Sequence, residues 1–254
     1  MLSVPAASVR TMPSDLCCPI VELRQYTVYP ERRDDLITLF DRELVESQEV
    51  LGMRLIGQFR NLDAPGRFVW IRGFADMATR HEALTAFYTG PVWKEHAAAA
   101  NVTMIDIDDV HLLHPAGAGS GFPFPGVGGD VASARPPAGA TLTPSSLVSV
   151  VVYPVVGDLR AFGRFFAAEV EPALGVTPLA RLETDTSPNT FPSLPVRAGV
   201  NVFAWAARFD DAPAHAVHLA EWERQTALRA ELDRRLSAPP VTLRLAPTAR
   251  SLLR

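Results

Sequence analysis

Alternation of apolar and polar positions begins at residue 21. The segment VELRQYTVY (21–29) changes character at every second residue, the period of a half-buried strand. Pro30 suits the first turn of a helix, and Leu36, Leu39, Phe40 and Leu44 recur at helical spacing until Gly52. Residues 53–60 and 67–74 read as two strands of a hairpin around Asp63-Ala64-Pro65-Gly66. Helical sequence is predicted from Asp76 to about Ala100, broken at Gly90-Pro91, and TMIDIDDVHLL closes the unit as a strand. The order is β-α-β-β-α-β.

The same order returns later in the chain. Residues 115–146 hold seven glycines and six prolines without periodicity, which predicts a linker. On either side landmarks repeat: Tyr29-Pro30 with Tyr153-Pro154, Leu51-Gly52 with Leu174-Gly175, Trp70 and Phe74 with Trp205 and Phe209, and Trp93 with Trp222. The later landmarks are further apart, which places an insertion at 184–197. The expected organisation is a tail (1–19), a first repeat (20–114), the linker (115–146), a second repeat (147–247) and a short C-terminal tail (248–254). The β-α-β-β-α-β order is the ferredoxin-like unit. Each sheet has one face bare of helices, and the other repeat can cover it. The expected fold class is therefore α+β, with two ferredoxin-like repeats packed sheet to sheet as an α/β barrel.

Composition narrows the partners. The 24 Lys and Arg against 28 Asp and Glu leave no basic surplus for phosphates, so nucleic acid and anionic membrane surfaces are not expected. No apolar run approaches the roughly 20 residues that span a bilayer. The opening stretch has no apolar centre and does not read as a secretion signal. The two cysteines, Cys17 and Cys18, are adjacent and cannot tie distant segments together, which predicts a reducing, cytoplasmic setting. Self-association into a homodimer stays open.

Candidate chemistry comes from comparing the repeats. Glu22, Arg24 and Tyr26 share one face of the first strand, whereas a constant offset of 124 aligns them with Ser146, Val148 and Val150. Likewise Arg72, two residues after Trp70, matches Ala207. Ionisable groups are costly to bury unless paired, so the first repeat carries either a ligand pocket or an ion-pair network at a seam. For a pocket, Tyr26, His96 and Arg72 are the candidate catalytic residues, and Glu22, Arg24, Gln58, Trp70, Trp93 and Asp106 the candidate substrate contacts. In that reading Arg24 and Arg72 hold an oxyanion, Tyr26 or His96 moves protons, and Trp70 and Trp93 line the walls. His111 and His114 are expected to be exposed at the strand end. Asp106, Asp108 and Asp109 lack the remaining ligands of a calcium loop, and His215, His218 and Glu221 lack a second ligand-bearing segment for zinc, so no metal site is expected. A phosphate-binding glycine loop and a serine nucleophile elbow are missing from the sequence, and no cofactor is expected.

The motifs ELRQYTVYP, RFVWIRGF and the Trp93 segment, with the final strand before Pro115, resemble the NIPSNAP family of the dimeric α/β-barrel superfamily. The resemblance implies a ferredoxin-like barrel with a small-molecule pocket, and no single reaction. Superfamily members include cofactor-free monooxygenases, isomerases, polyketide cyclases and haem-degrading enzymes. Binding of a small hydrophobic or aromatic molecule in secondary metabolism is thus one implied role. A non-catalytic interaction module is the alternative, with the insertion docking a partner, as is a haem-binding barrel using His81.

Overall fold

The computed structural model describes residues 17–123 and 135–254; the rest of the expected N-terminal tail and the middle of the linker lie outside them. The chain runs β1 (Ile20–Val28), α1 (Arg33–Leu39), α2 (Glu46–Glu49), β2 (Arg54–Asn61), β3 (Arg67–Phe74), α3 (Met77–Thr89), α4 (Pro91–Asn101) and β4 (Met104–Pro115). The second repeat follows with β5 (Leu147–Pro154), α5 (Leu159–Phe165), α6 (Glu171–Ala173), β6 (Ala180–Thr184), β7 (Val202–Phe209), α7 (Ala212–Glu223), α8 (Thr226–Asp233) and β8 (Val241–Pro247). A π-helical turn joins the first two helices of each repeat, at Phe40–Leu44 and at Phe166–Val170. Asp76 and Asp211 cap α3 and α7 identically, each accepting from the backbone N–H three residues on. Among the described residues no helix is long and apolar enough to cross a membrane.

All eight strands form one closed barrel in the order β1-β3-β2-β8-β5-β7-β6-β4. Each repeat supplies a four-stranded ferredoxin-like sheet, and the sheets join edge to edge through β2–β8 and β4–β6. Residues on the inward side of the strands, such as Val21, Leu23, Ile71, Val150, Ala204 and Leu245, fill the interior. Two further apolar clusters lie outside the barrel, one under the helices of each repeat.

Segments without secondary structure complete the interior at one end. Cys17, Phe122 and Leu253 pack into the barrel core, and the backbone N–H of Leu253 donates to the Ile56 carbonyl. Cys17 and Cys18 are bonded to each other, and the Cys17 N–H donates to the Phe122 carbonyl. The expected C-terminal tail therefore differs from the structure: Thr248, Arg250 and Ser251 are buried. So does part of the linker. The buried Arg135 side chain donates to the carbonyls of Leu55 (2.6 Å) and Arg250 (2.5 Å) and to Glu49 (2.7 Å). Apolar periodicity carries no trace of such contacts, because a strap buries isolated residues, not a face.

The β5–β7 register also corrects the internal alignment. Trp70 pairs with Arg24, and Trp205 pairs with Val151. The counterparts of Glu22, Arg24 and Tyr26 are thus Ser149, Val151 and Tyr153, three residues beyond those that a constant offset of 124 selects. The loss of Glu22 and Arg24 in the second repeat stands, while the tyrosine is present in both.

Two outcomes follow from these burials. Arg135→Ala removes a buried cation from Glu49 and two buried carbonyls, and should lower stability by about 3 kcal/mol in urea denaturation with an unchanged denaturant slope. His111, at 6% exposure, is pushed down to about 4, mainly by burial, with Arg197 adding to the shift and Asp109 opposing it. Its unfolded form takes up a proton near pH 6.5, so stability should be full above that value, fall as pH drops, and stop responding below about 4. His111→Gln should flatten that slope by up to about 1.4 kcal/mol per pH unit.

Candidate functional site

Strand β1 divides two environments. Val21 and Leu23 enter the barrel core, while Tyr26 and its strand neighbour Trp70 belong to the cluster beneath the first repeat's helices. On that outer side Glu22, Arg24, Arg72 and Arg80 are all fully buried. The Glu22 carboxylate accepts from Arg72 Nε (2.7 Å) and Arg24 Nη1 (2.9 Å) on one oxygen and from Arg80 Nε (2.7 Å) on the other. Burial alone would raise the Glu22 pKa; the Arg72, Arg24 and Arg80 guanidiniums outweigh it and hold the carboxyl far below the usual range. Burial works against the Arg24 cation, yet Tyr26 and Glu22 leave it more firmly protonated than usual.

Three cations thus surround one anion, and the cluster carries two positive charges in excess. Each guanidinium retains a buried Nη2 without a hydrogen-bond partner among the described residues. Aromatic faces take part of the load: the Arg72 guanidinium lies 4.8 Å from the Trp70 ring centre and that of Arg24 lies 5.5 Å from Tyr26 and Trp70. Arg80 also reaches outward, donating from Nη1 to Asn189 Oδ1 (3.0 Å) and Thr190 Oγ1 (3.3 Å). Those residues belong to the insertion of the second repeat.

A cavity of about 380 Å3 adjoins this cluster, between the outer sheet face and the helices. Its walls are apolar and aromatic, including Phe40, Leu44, Phe87, Tyr88 and Trp93. Phe191, Ser193 and Leu194 of the insertion cover it, and Phe191 stacks on Tyr88 at 5.7 Å. Tyr26, Gln48 and Trp70 present polar groups on the side facing the cluster, and Thr89, Asn101 and Ser193 also belong to the lining. The size and the few polar groups suit a small organic ligand.

Hydrogen-bond supply on that polar side is one-sided. Gln48 donates to the Leu44 carbonyl and accepts from Arg72 Nη1, so both ends of its amide are engaged. The Tyr26 oxygen accepts from Arg24 Nε at 3.2 Å, which leaves the phenolic hydrogen to be donated. Trp70 Nε1 is buried and has no partner among the described residues. In the second repeat the matching Trp205 Nε1 donates to the Tyr153 hydroxyl (3.2 Å), so that pair closes on itself. Arg24, absent from the second repeat, is what separates the two arrangements. Burial, with Tyr26 adding, pushes Tyr88 up to about 12, while Arg72 and Arg24 pull it down.

The candidate residues fall into three groups. Tyr26, Trp70 and Trp93 line the cavity. Glu22, Arg24 and Arg72 lie behind its wall and reach it through Tyr26 and Gln48, so the arginines do not grip a ligand directly as expected. His96, Asp106 and Gln58 stand elsewhere. The His96 ring points to Glu43 (3.7 Å) on the neighbouring helix. Asp106 is exposed beside a register shift in β1–β4 and accepts from the Asp108 N–H. Gln58 Oε1 accepts from Arg135. His81 is exposed and its Nδ1 lies 2.6 Å from the Thr190 carbonyl. His111 was expected at the surface and is buried, because β4 continues past it to pair with β6. Arg80 escaped the sequence reading. Four residues beyond the Asp76 cap, it turns its chain back over the sheet, and a lone arginine in a helix carries no signal of that. Among the described residues no three His, Cys, Asp or Glu side chains gather as metal ligands.

Residues 21–118 match the family model named NIPSNAP. No curated protein matches the chain by sequence. Over the whole length the fold is similar to a candidate monooxygenase from Fusobacterium nucleatum, with a TM-score of 0.55, 10% identity, and coverage of 91% of this chain and 93% of that one. An anthrone oxidase-like protein superposes with a TM-score of 0.50 at 13% identity, covering 91% and 93% of the two chains. A haem-bound DypB variant from Rhodococcus jostii does so at 0.50 and 10%, covering 94% and 95%. At these identities the likeness establishes the tandem barrel fold alone. The match to the NIPSNAP model spans the first repeat, and the chain couples that repeat to a second ferredoxin-like one in a single α/β barrel.

Proposed function

We propose that the covered cavity of the first repeat binds a small aromatic or hydrophobic molecule through an oxygen-bearing end, and that the chain acts on it by stabilising negative charge on that oxygen. The observation that carries this reading is the side of the cavity facing the charge cluster: among the described residues nothing accepts the hydrogens of Tyr26 O–H and Trp70 Nε1–H, and a cluster with two excess cations stands behind them. Fixed donors in a site shielded from water stabilise a developing enolate or phenolate more than they stabilise the neutral carbonyl or phenol. Cyclisation, isomerisation and cofactor-independent oxygenation all pass through such an anion. The names of two structural neighbours, a candidate monooxygenase and an anthrone oxidase-like protein, agree with that chemistry.

A second reading, binding without turnover, draws on one feature. Among the described residues no carboxylate or imidazole lines the cavity, and a ligand that arrives already acidic needs no general base from that lining.

Two fluorescent probes with a common aromatic frame test the proposal. 1-Anilinonaphthalene-8-sulfonate carries an anionic group that N-phenyl-1-naphthylamine lacks, and it should bind at least tenfold more tightly. Trp70→Phe should weaken the sulfonate about tenfold, the loss expected for one hydrogen bond to a charged acceptor, and leave the neutral dye within twofold. Equal affinity for the two dyes would refute the charge argument. Binding that survives Leu194→Trp, which fills the cavity, would refute the location.

A further inference from the structure

The barrel's two ends are built differently. One is sealed by Cys17, Phe122 and Leu253. The other, where β1 and β5 end and β3, β7 and β8 begin, opens into a cavity of about 590 Å3, larger than the aromatic one and separated from it by β1. Its wall is aliphatic, with Val152, Val200, Val202 and Val241. Its rim is charged: Arg197 Nε donates to Asp109 at 2.8 Å, and Arg67 Nη1 lies 3.5 Å from the other oxygen of the same carboxylate. Two cations share one anion, and that Arg67 nitrogen has no well-aligned acceptor among the described residues. Further in, His111 is 6% exposed and its Nδ1 has no partner among the described residues. A buried polar atom without a partner beside open space is the usual mark of a missing hydrogen-bonding group.

We infer that the open end of the barrel is a second ligand site, which takes a small organic acid. Its carboxylate lies beside Asp109 against Arg67 and Arg197, with one oxygen accepting from His111 Nδ1–H, and its alkyl part lies against the valines. A carboxylate matches the planar donor edge of guanidinium in two parallel hydrogen bonds, and the cation excess is restored to neutrality by one such charge. An alkylammonium or a neutral amide of the same length would meet those cations without compensation. The site does not depend on the aromatic cavity, since alternate residues of β1 face the two: Tyr26 the one and Gln25 the other.

Butyrate is the probe, titrated at constant ionic strength against chloride and followed by NMR at the Arg67 and Arg197 Nε–H and His111 side-chain resonances. Saturable shifts at these groups are expected, with butyramide at least tenfold weaker. The double variant Arg67→Gln/Arg197→Gln changes two partly exposed side chains and should lose butyrate binding at least tenfold, while 1-anilinonaphthalene-8-sulfonate binding stays within twofold. Shifts that chloride reproduces, equal binding of butyramide, or unchanged affinity in the double variant would overturn the inference. If the double variant does not fold, the butyrate–butyramide comparison on the native chain decides alone.

Discussion

One carboxylate holds the first repeat together. Glu22 is met by an arginine from its own strand, one from β3 and one from α3, and the third reaches on to Asn189 and Thr190 of the insertion. Strand, neighbouring strand, helix and covering loop are therefore fixed by one buried charge. Such a cluster is costly to desolvate, and apolar residues in its place would pack a more economical sheet. The second repeat shows that alternative: Ser149, Val151 and Ala207 stand at the matching positions, and its Trp205–Tyr153 pair is self-satisfied. With the same scaffold built twice in one chain, the charged version reads as retained for what it does to the adjoining cavity.

Barrel closure sets the conditions for both cavities. Edge-to-edge pairing through β2–β8 and β4–β6 leaves each sheet with an inward face of aliphatic side chains and an outward face under helices. The aromatic cavity belongs to the outward face, where the π-helical turn Phe40–Leu44 supplies Phe40 and Leu44 to its wall. The polar mouth belongs to the inward face. Strand alternation, the simplest periodicity in proteins, separates the two chemistries by one residue.

Much of the architecture was legible because it is periodic. VELRQYTVY, RFVWIRGF and their later counterparts alternate as strands must, and Asp76, Gly90-Pro91 and Gly52 punctuate the helices where the structure ends them. What escaped detection was not periodic. The run LVSVVVY is apolar at nearly every position, so nothing in it marks register, and a shift of three residues in the internal alignment went unopposed. Burial of Phe122, Arg135 and Leu253 depends on single side chains in straps. His96 follows Trp93 by one helical turn, yet the ring turns to Glu43 across the helix pair, because three residues advance about 300° and not a full circle. Trp70 and Trp93 were found from matched aromatic positions, whereas the contrast that pointed to Tyr26 came from the shifted alignment; Arg80 required the fold.

The loop that covers the aromatic cavity does not come from the half that forms it. Arg80 and Asn189 are 109 residues apart in the chain, and Phe191 of one half lies on Tyr88 of the other. Neither copy could therefore drift alone: a change in what the first hollow accommodates has to be answered in a roof encoded far downstream. Joining the two in a single polypeptide makes that answer heritable as one unit, and the half without the Glu22–arginine cluster supplies the cover of its twin's cavity.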